Sequence, residues 1–162
     1  MKIIFIAGIH GVGKTTFCKK KNFKNVYTAS DLIKRYKNIK NKFANKIFEN
    51  QEILLEAITQ IEEKEIYLDG HFCLLDSYGN INELPLELYE KLDISKIILL
   101  IADPLEIKKR LEKRDKIKYN STLLKKFQEK EIERAKYVSE KLNIKLKILK
   151  NYKKMTYFSF FV

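Results

Sequence analysis

The chain has 162 residues, 45% of them hydrophobic and 33% charged, with only 5 glycines and 2 prolines. That is the size and apolar content of one domain with a closed core, and it excludes collagenous, low-complexity and disordered polymers. The 33 basic and 21 acidic side chains leave a net charge of +12; a charge count does not locate a patch, so the reading is a solvated surface, and a nucleic-acid partner is not favoured.

The longest apolar runs, Ile3 to Ile9 and Ile97 to Ala102, fall far short of the roughly 20 residues of a membrane span. A soluble, cytoplasmic protein with no membrane partner is expected. Cys18 and Cys73 lack metal-ligand spacing and read as small core residues in a reducing compartment.

Lys2 to Ala7 is a near-continuous apolar run that stops at Gly8, as expected of a central parallel strand covered on both faces. A helix is expected from near Lys14. Asn25 to Thr28 reads as a short strand, after which Ser30 and Asp31 offer N-cap oxygens ahead of Leu32, Ile33 and Tyr36. Phe43, Ile47, Leu54, Ile58 and Ile61 recur at helical spacing and predict one long amphipathic helix. Glu65 to Leu68 is a third strand, ended by Asp69-Gly70, and a loop through Tyr78-Gly79-Asn80 follows. Pro85 opens a short helix. Ile97 to Ala102 is the clearest buried strand, and Asp103-Pro104 opens a helix through Ile107 and Leu111. Leu124, Phe127, Ala135, Val138 and Leu142 mark one long helix, and Lys145 to Leu149 alternates as an edge strand would. Tyr152 to Val162 is aromatic without a period; a strand, a core-packing segment and a partner surface all stand open for it. Strands alternating with helices predict a single domain, residues 1–162, on an α/β sheet of about five parallel strands joined by right-handed crossovers.

Gly8-Ile9-His10-Gly11-Val12-Gly13-Lys14-Thr15 satisfies G-x-x-x-x-G-K-[ST], with a buried strand before it and a helix after it. Glycines let such a loop turn its amides inward, backed by the positive end of the next helix, a match for a polyphosphate. Gly8, Gly11, Val12, Gly13, Lys14 and Thr15 are therefore the polyphosphate-binding candidates, with Lys14 on the β- and γ-phosphates and the Thr15 hydroxyl on Mg²⁺; His10 reads as a loop-filling side chain, with nucleotide contact the lesser alternative. Ligands of open α/β sheets sit outside the carboxyl ends of the strands, which puts Asp69 beside that loop. It is read as the second Mg²⁺ anion, acting through water, with a plain Asp-Gly turn as the competing reading.

These segments, with the Ser30-Asp31-Leu32 step, Leu68-Asp69-Gly70-His71, Ala102-Asp103-Pro104 and Arg110-Leu-Glu-Lys-Arg114-Asp115, resemble the nucleoside monophosphate kinases. Within them the chain is most similar to the archaeal-type and atypical adenylate kinases. The resemblance implies a P-loop NTPase three-layer fold with a short lid at about 110–121 and a monophosphate-binding arm at about 30–62. It implies transfer of the ATP γ-phosphoryl group to a nucleoside monophosphate, usually AMP. Carried over, Gly8 to Thr16, with His10 and Thr16 among them, would hold the ATP phosphates and Mg²⁺. Lys14, Asp69, Arg110 and Arg114 become the catalytic set, the arginines closing from the lid. Asp31, Lys34, Arg35 and His71 become the acceptor side, and the loop near Lys150-Asn151 would meet adenine. His71 reads equally as a base or phosphate contact and as a loop cap. Two alternatives stand beside this reading: an ATP-binding or ATP-hydrolysing module acting with an RNA or protein partner, and a kinase for a nucleoside, a small metabolite or a polynucleotide 5′ end.

Overall fold

The computed structural model describes residues 1–40 and 47–150, without the side chains of 38–40 and 47–48. In chain order the elements are β1 (Lys2–Ala7), α1 (Lys14–Lys20), β2 (Val26–Thr28), α2 (Ala29–Lys40), α3 (Ile47–Thr59), β3 (Glu65–Asp69), β4 (Cys73–Leu75), β5 (Ile81–Glu83), α4 (Leu86–Leu92), β6 (Ile94–Ile101), α5 (Pro104–Asp115), α6 (Ser121–Lys141) and β7 (Lys145–Lys150). The strands β2-β3-β1-β6-β7 form one sheet in that order, and every pair in it is parallel.

The apolar run of β1 works because the strand lies between β3 and β6 with helices on both faces. Its alternating side chains go to two cores. Ile3, Phe5 and Ala7 join Leu54, Ile58, Leu88, Leu92, Ala135 and Val138 on one face. Ile4 and Ile6 join Cys18, Ile107, Leu111, Leu124 and Phe127 on the other. Helix α6 serves both, its first half on one core and its second on the other. Cys18 and Cys73 are buried free thiols, as core residues should be.

Asp103 caps α5 as the sequence suggests, its carboxylate accepting from the Leu105 amide at 2.7 Å. Two local expectations fail. Helix α2 begins at Ala29, directly after β2, so Ser30 and Asp31 sit in its first turn instead of capping it. The described part of the predicted long helix is α3, which stops at Thr59 and leaves Ile61 outside; Phe43 lies outside the described residues. The stretch after Asp69 holds an antiparallel hairpin, β4 with β5. Its turn is organised by Asp76, whose carboxylate accepts from the amides of Tyr78 at 2.9 Å and Asn80 at 2.8 Å. The segment 151–162, with Asn151 and the aromatic ending, also lies outside the described residues. Among the described residues no helix is long and apolar enough to cross a membrane.

Candidate functional site

Sheet order reverses around β1, so the carboxyl ends of β1 and β3 open onto one crevice. The loop between β1 and α1 fills its floor. Gly8 lies at φ 139°, and a Cβ there would sit 2.5 Å from the Leu100 carbonyl oxygen. Gly13 takes the left-handed conformation at φ 102° where α1 begins. Neither position accepts a side chain without strain. Thr15 and Thr16 open α1 with exposed side chains, whereas Val12 is fully buried beneath the loop.

Lys14 folds back over its own loop. Its Nζ donates to the Gly8 carbonyl at 2.5 Å and lies 3.5 Å from Asp69 Oδ1. Both side chains are buried. Burial pushes the Lys14 pKa down while the charges of Asp69 and Glu131 oppose it. Burial likewise pushes Asp69 up against the pull of Lys14. The pairing of β1 with β3, Ile6 opposite Asp69, is what brings the two together.

Arg110 departs from its expected place over the phosphates. Its Nη1 donates to the carbonyls of Gly11 at 3.3 Å and Val12 at 3.1 Å, so it braces the loop from outside, because α5 packs directly against it. Only five residues separate α5 from α6, so the described lid region is little more than a turn. Arg114 does line the crevice. It is 60% exposed, and its guanidinium is held by both carboxylate oxygens of Asp115. That contact and the Tyr119 hydroxyl draw Asp115 down to about 2.

His10 and His71 face each other across the crevice with ring centroids 4.3 Å apart. Burial and the nearby charge of Lys14 hold both below the ordinary imidazole range, His71 well below it, so both stay neutral at physiological pH. His71 Nδ1 is buried without a hydrogen-bond partner.

From this floor a cavity of about 550 Å³ runs between α2, α3 and α4. Its lining combines Lys14, Thr15, Asp69 and His71 with Ile33, Leu54, Leu84 and Leu88 and with Asn50 and Gln51. Gln51 is buried, and Asn50 Oδ1 is buried without a partner. Asp31, Lys34 and Arg35, expected on the acceptor side, are exposed on α2 outside the cavity lining.

Two features of the site escape sequence reasoning. Asn50 and Gln51 look like ordinary helix residues until α3 is set against the crevice. Glu131 is 1% exposed. Its Oε1 accepts from the amides of Gly8 at 3.2 Å and Phe72 at 3.0 Å, and its Oε2 from Phe72 at 3.0 Å and Cys73 at 2.7 Å. One signal was present: Glu131 falls midway between Phe127 and Ala135 in the apolar stripe of α6, where a carboxylate needs a buried partner.

A parallel five-stranded sheet, a glycine-bent loop with a buried lysine and an aspartate on the adjacent strand define an α/β fold of the P-loop NTPase kind. The chain belongs to the AAA_17 family, an AAA domain whose model matches residues 7–126. A comparison with curated proteins found no match. Among solved structures the chain is similar to TT1252 from Thermus thermophilus, at 16% identity and TM-score 0.53, over 94% of this chain and 90% of that one. It is also similar to the tunicamycin resistance protein of Deinococcus radiodurans, at 14% identity and TM-score 0.54, over 88% and 96% respectively. At such identities the likeness establishes the shared fold.

Proposed function

We propose that this protein is an ATP-dependent phosphotransferase of the adenylate kinase type, carrying the γ-phosphoryl group of ATP to a nucleoside monophosphate, AMP first. The observation that carries the reading is one cavity lined both by the phosphate loop and by side chains of α2, α3 and α4, because direct transfer needs donor and acceptor side by side. The amides of Asn50 and Gln51, set among apolar walls, suit the hydrogen-bonding edge of a base.

Residue roles follow from position. The loop amides and Lys14 bind the triphosphate, Lys14 exchanging the Gly8 carbonyl for phosphate oxygens. Thr15 and Asp69 fit Mg²⁺: both offer hard oxygens, one from an exposed hydroxyl beside Lys14 and one from a carboxylate already 3.5 Å from that cation. When bound, the ion supplies charge neutralisation at the phosphates. Arg114, at the rim, would turn from Asp115 to the transferring group, where a guanidinium stabilises spread negative charge. An acceptor phosphate is already ionised at neutral pH, so no strong base is required.

A second reading, a neutral hydroxyl acceptor such as a nucleoside, is favoured by the outward placement of Lys34 and Arg35, the cations expected to hold an acceptor phosphate. Thin-layer separation of γ-labelled ATP reactions with each monophosphate and each nucleoside decides between them. Labelled diphosphates support the first reading. Labelled monophosphates move the assignment to the second, and inorganic phosphate alone removes both.

A further inference from the structure

Helix α6 places a carboxylate where two separate parts of the site meet. Gly8 starts the phosphate loop, and its carbonyl holds Lys14. Phe72 and Cys73 follow Asp69 and His71 on the other side of the crevice. The amides of all three residues end on the carboxylate of Glu131, within 2.7 to 3.2 Å. Other bonds secure the neighbourhood: Gly70 donates to the Ile6 carbonyl at 3.0 Å, Leu84 to the Phe72 carbonyl at 2.9 Å, and the Tyr89 hydroxyl to the His71 carbonyl at 2.9 Å. None of them links the Gly8 amide to the far loop. The His71 ring and Lys14 also reach the Gly8 backbone, but Glu131 is the group that takes the backbone amides of both loops.

We infer that Glu131 is a positioning residue for phosphoryl transfer: its carboxylate holds the entry of the phosphate loop and the loop behind Asp69 at a fixed separation, and so sets where Lys14 and Asp69 stand to each other. The inference rests on the phosphotransferase reading for its catalytic consequence. The clamp itself stands on geometry.

Only an ionised carboxylate serves. Both oxygens accept, so a proton on either would point an O–H at a backbone N–H, and the amide of glutamine would do the same with its NH₂. The titratable groups facing Glu131 are Lys14 on α1, Cys73 on β4 and Tyr89 on α4. Burial keeps the Cys73 thiol up at about 12 and pushes the Tyr89 phenol up as well, so both are neutral near pH 7. Lys14 is thus the cation among them. Burial raises the Glu131 carboxyl to about 7, against the pull of the three amides and Lys14, so the clamp tightens as pH rises through neutrality.

The test pairs kinetics with spectroscopy on the full chain. In Glu131→Gln, kcat should fall about 10- to 100-fold, as expected when reacting groups move by an ångström, while the KM for ATP changes far less. The wild type should lose kcat as pH falls through about 7, and the variant should be low and flat there. Wild-type kcat in the variant, or an unchanged acid limb, overturns the inference. Should Glu131→Gln fail to fold, the unaltered chain still decides: the amide protons of Gly8, Phe72 and Cys73 should shift together with pH, with one midpoint near 7. Separate midpoints, or no shift, overturn the clamp. A chain with no transferase activity whose three amides still titrate together overturns the phosphotransferase reading and the catalytic role drawn from it, and leaves the clamp as structure.

Discussion

Arg110 and Arg114, about one turn apart on α5, do different work. Arg110 spends its guanidinium on the carbonyls of Gly11 and Val12. Arg110→Ala should therefore lower thermal stability, removing two charged hydrogen bonds worth about 1–3 kcal/mol together, and should weaken ATP binding as the loop loosens; a melting curve and an ATP titration check both. Arg114 is tied to half-buried Asp115 and faces the cavity. Arg114→Ala should leave the melting temperature nearly unchanged and lower turnover by about 10³ if its fork meets the transition state. A rate within a few-fold of wild type would return Arg114 to the solvent-facing surface. The nearness of Lys14, Thr15 and Asp69 was legible because the loop motif and the strand ends place them at one crevice. Glu131, Asn50 and Gln51 were not, because their chemistry appears only when distant helices bring them to the crevice.

At the scale of elements, near-continuous apolar runs announced the central strands β1 and β6, since a strand buried on both faces has little room for polar side chains, whereas the edge strand β7 showed itself by alternation. The hairpin β4–β5 stayed hidden because its two strands are only three residues each and its turn depends on the Asp76 side chain. The junction of β3 with the next loop is tightly packed. A Cβ on Gly70 would lie 2.6 Å from Phe5 Cε2 and 2.7 Å from Phe5 Cζ, and Phe5 is itself wedged edge-on against Phe72 and Tyr89. Gly70→Ala should cost about 1–3 kcal/mol by overpacking, measurable as a lower denaturation midpoint, and it should disturb Asp69 and His71 on either side. An unchanged midpoint would mean that the Phe5 ring shifts freely, contrary to its burial.

Across the whole molecule, one carboxylate buried in α6 links the pH response to stability. Glu131 has its pKa raised on folding, to about 7 from 4.5. A group of that kind favours the folded state most below its unfolded pKa, and the advantage is lost as pH rises through the folded value. Wild-type stability should therefore decline relative to Glu131→Gln between about pH 4.5 and pH 7, even as the ionised clamp becomes better formed for catalysis. Parallel denaturation series for the two proteins at several pH values test this, and a pH-independent difference contradicts it. The fold as a whole was readable from alternating strand and helix signals. The acceptor was not, because exposed Lys34 and Arg35 and inward Asn50 and Gln51 differ in orientation, which a sequence does not carry.

All of these roles presuppose that the glycine-bent loop holds a triphosphate. Calorimetric titration of ATP with magnesium into the wild type and into Lys14→Ala tests that most directly. Saturable binding at one site by the wild type, with a large loss of affinity in a variant that melts at the same temperature, is the expected result. No heat of binding in the wild type, or equal affinity in both proteins, would contradict it.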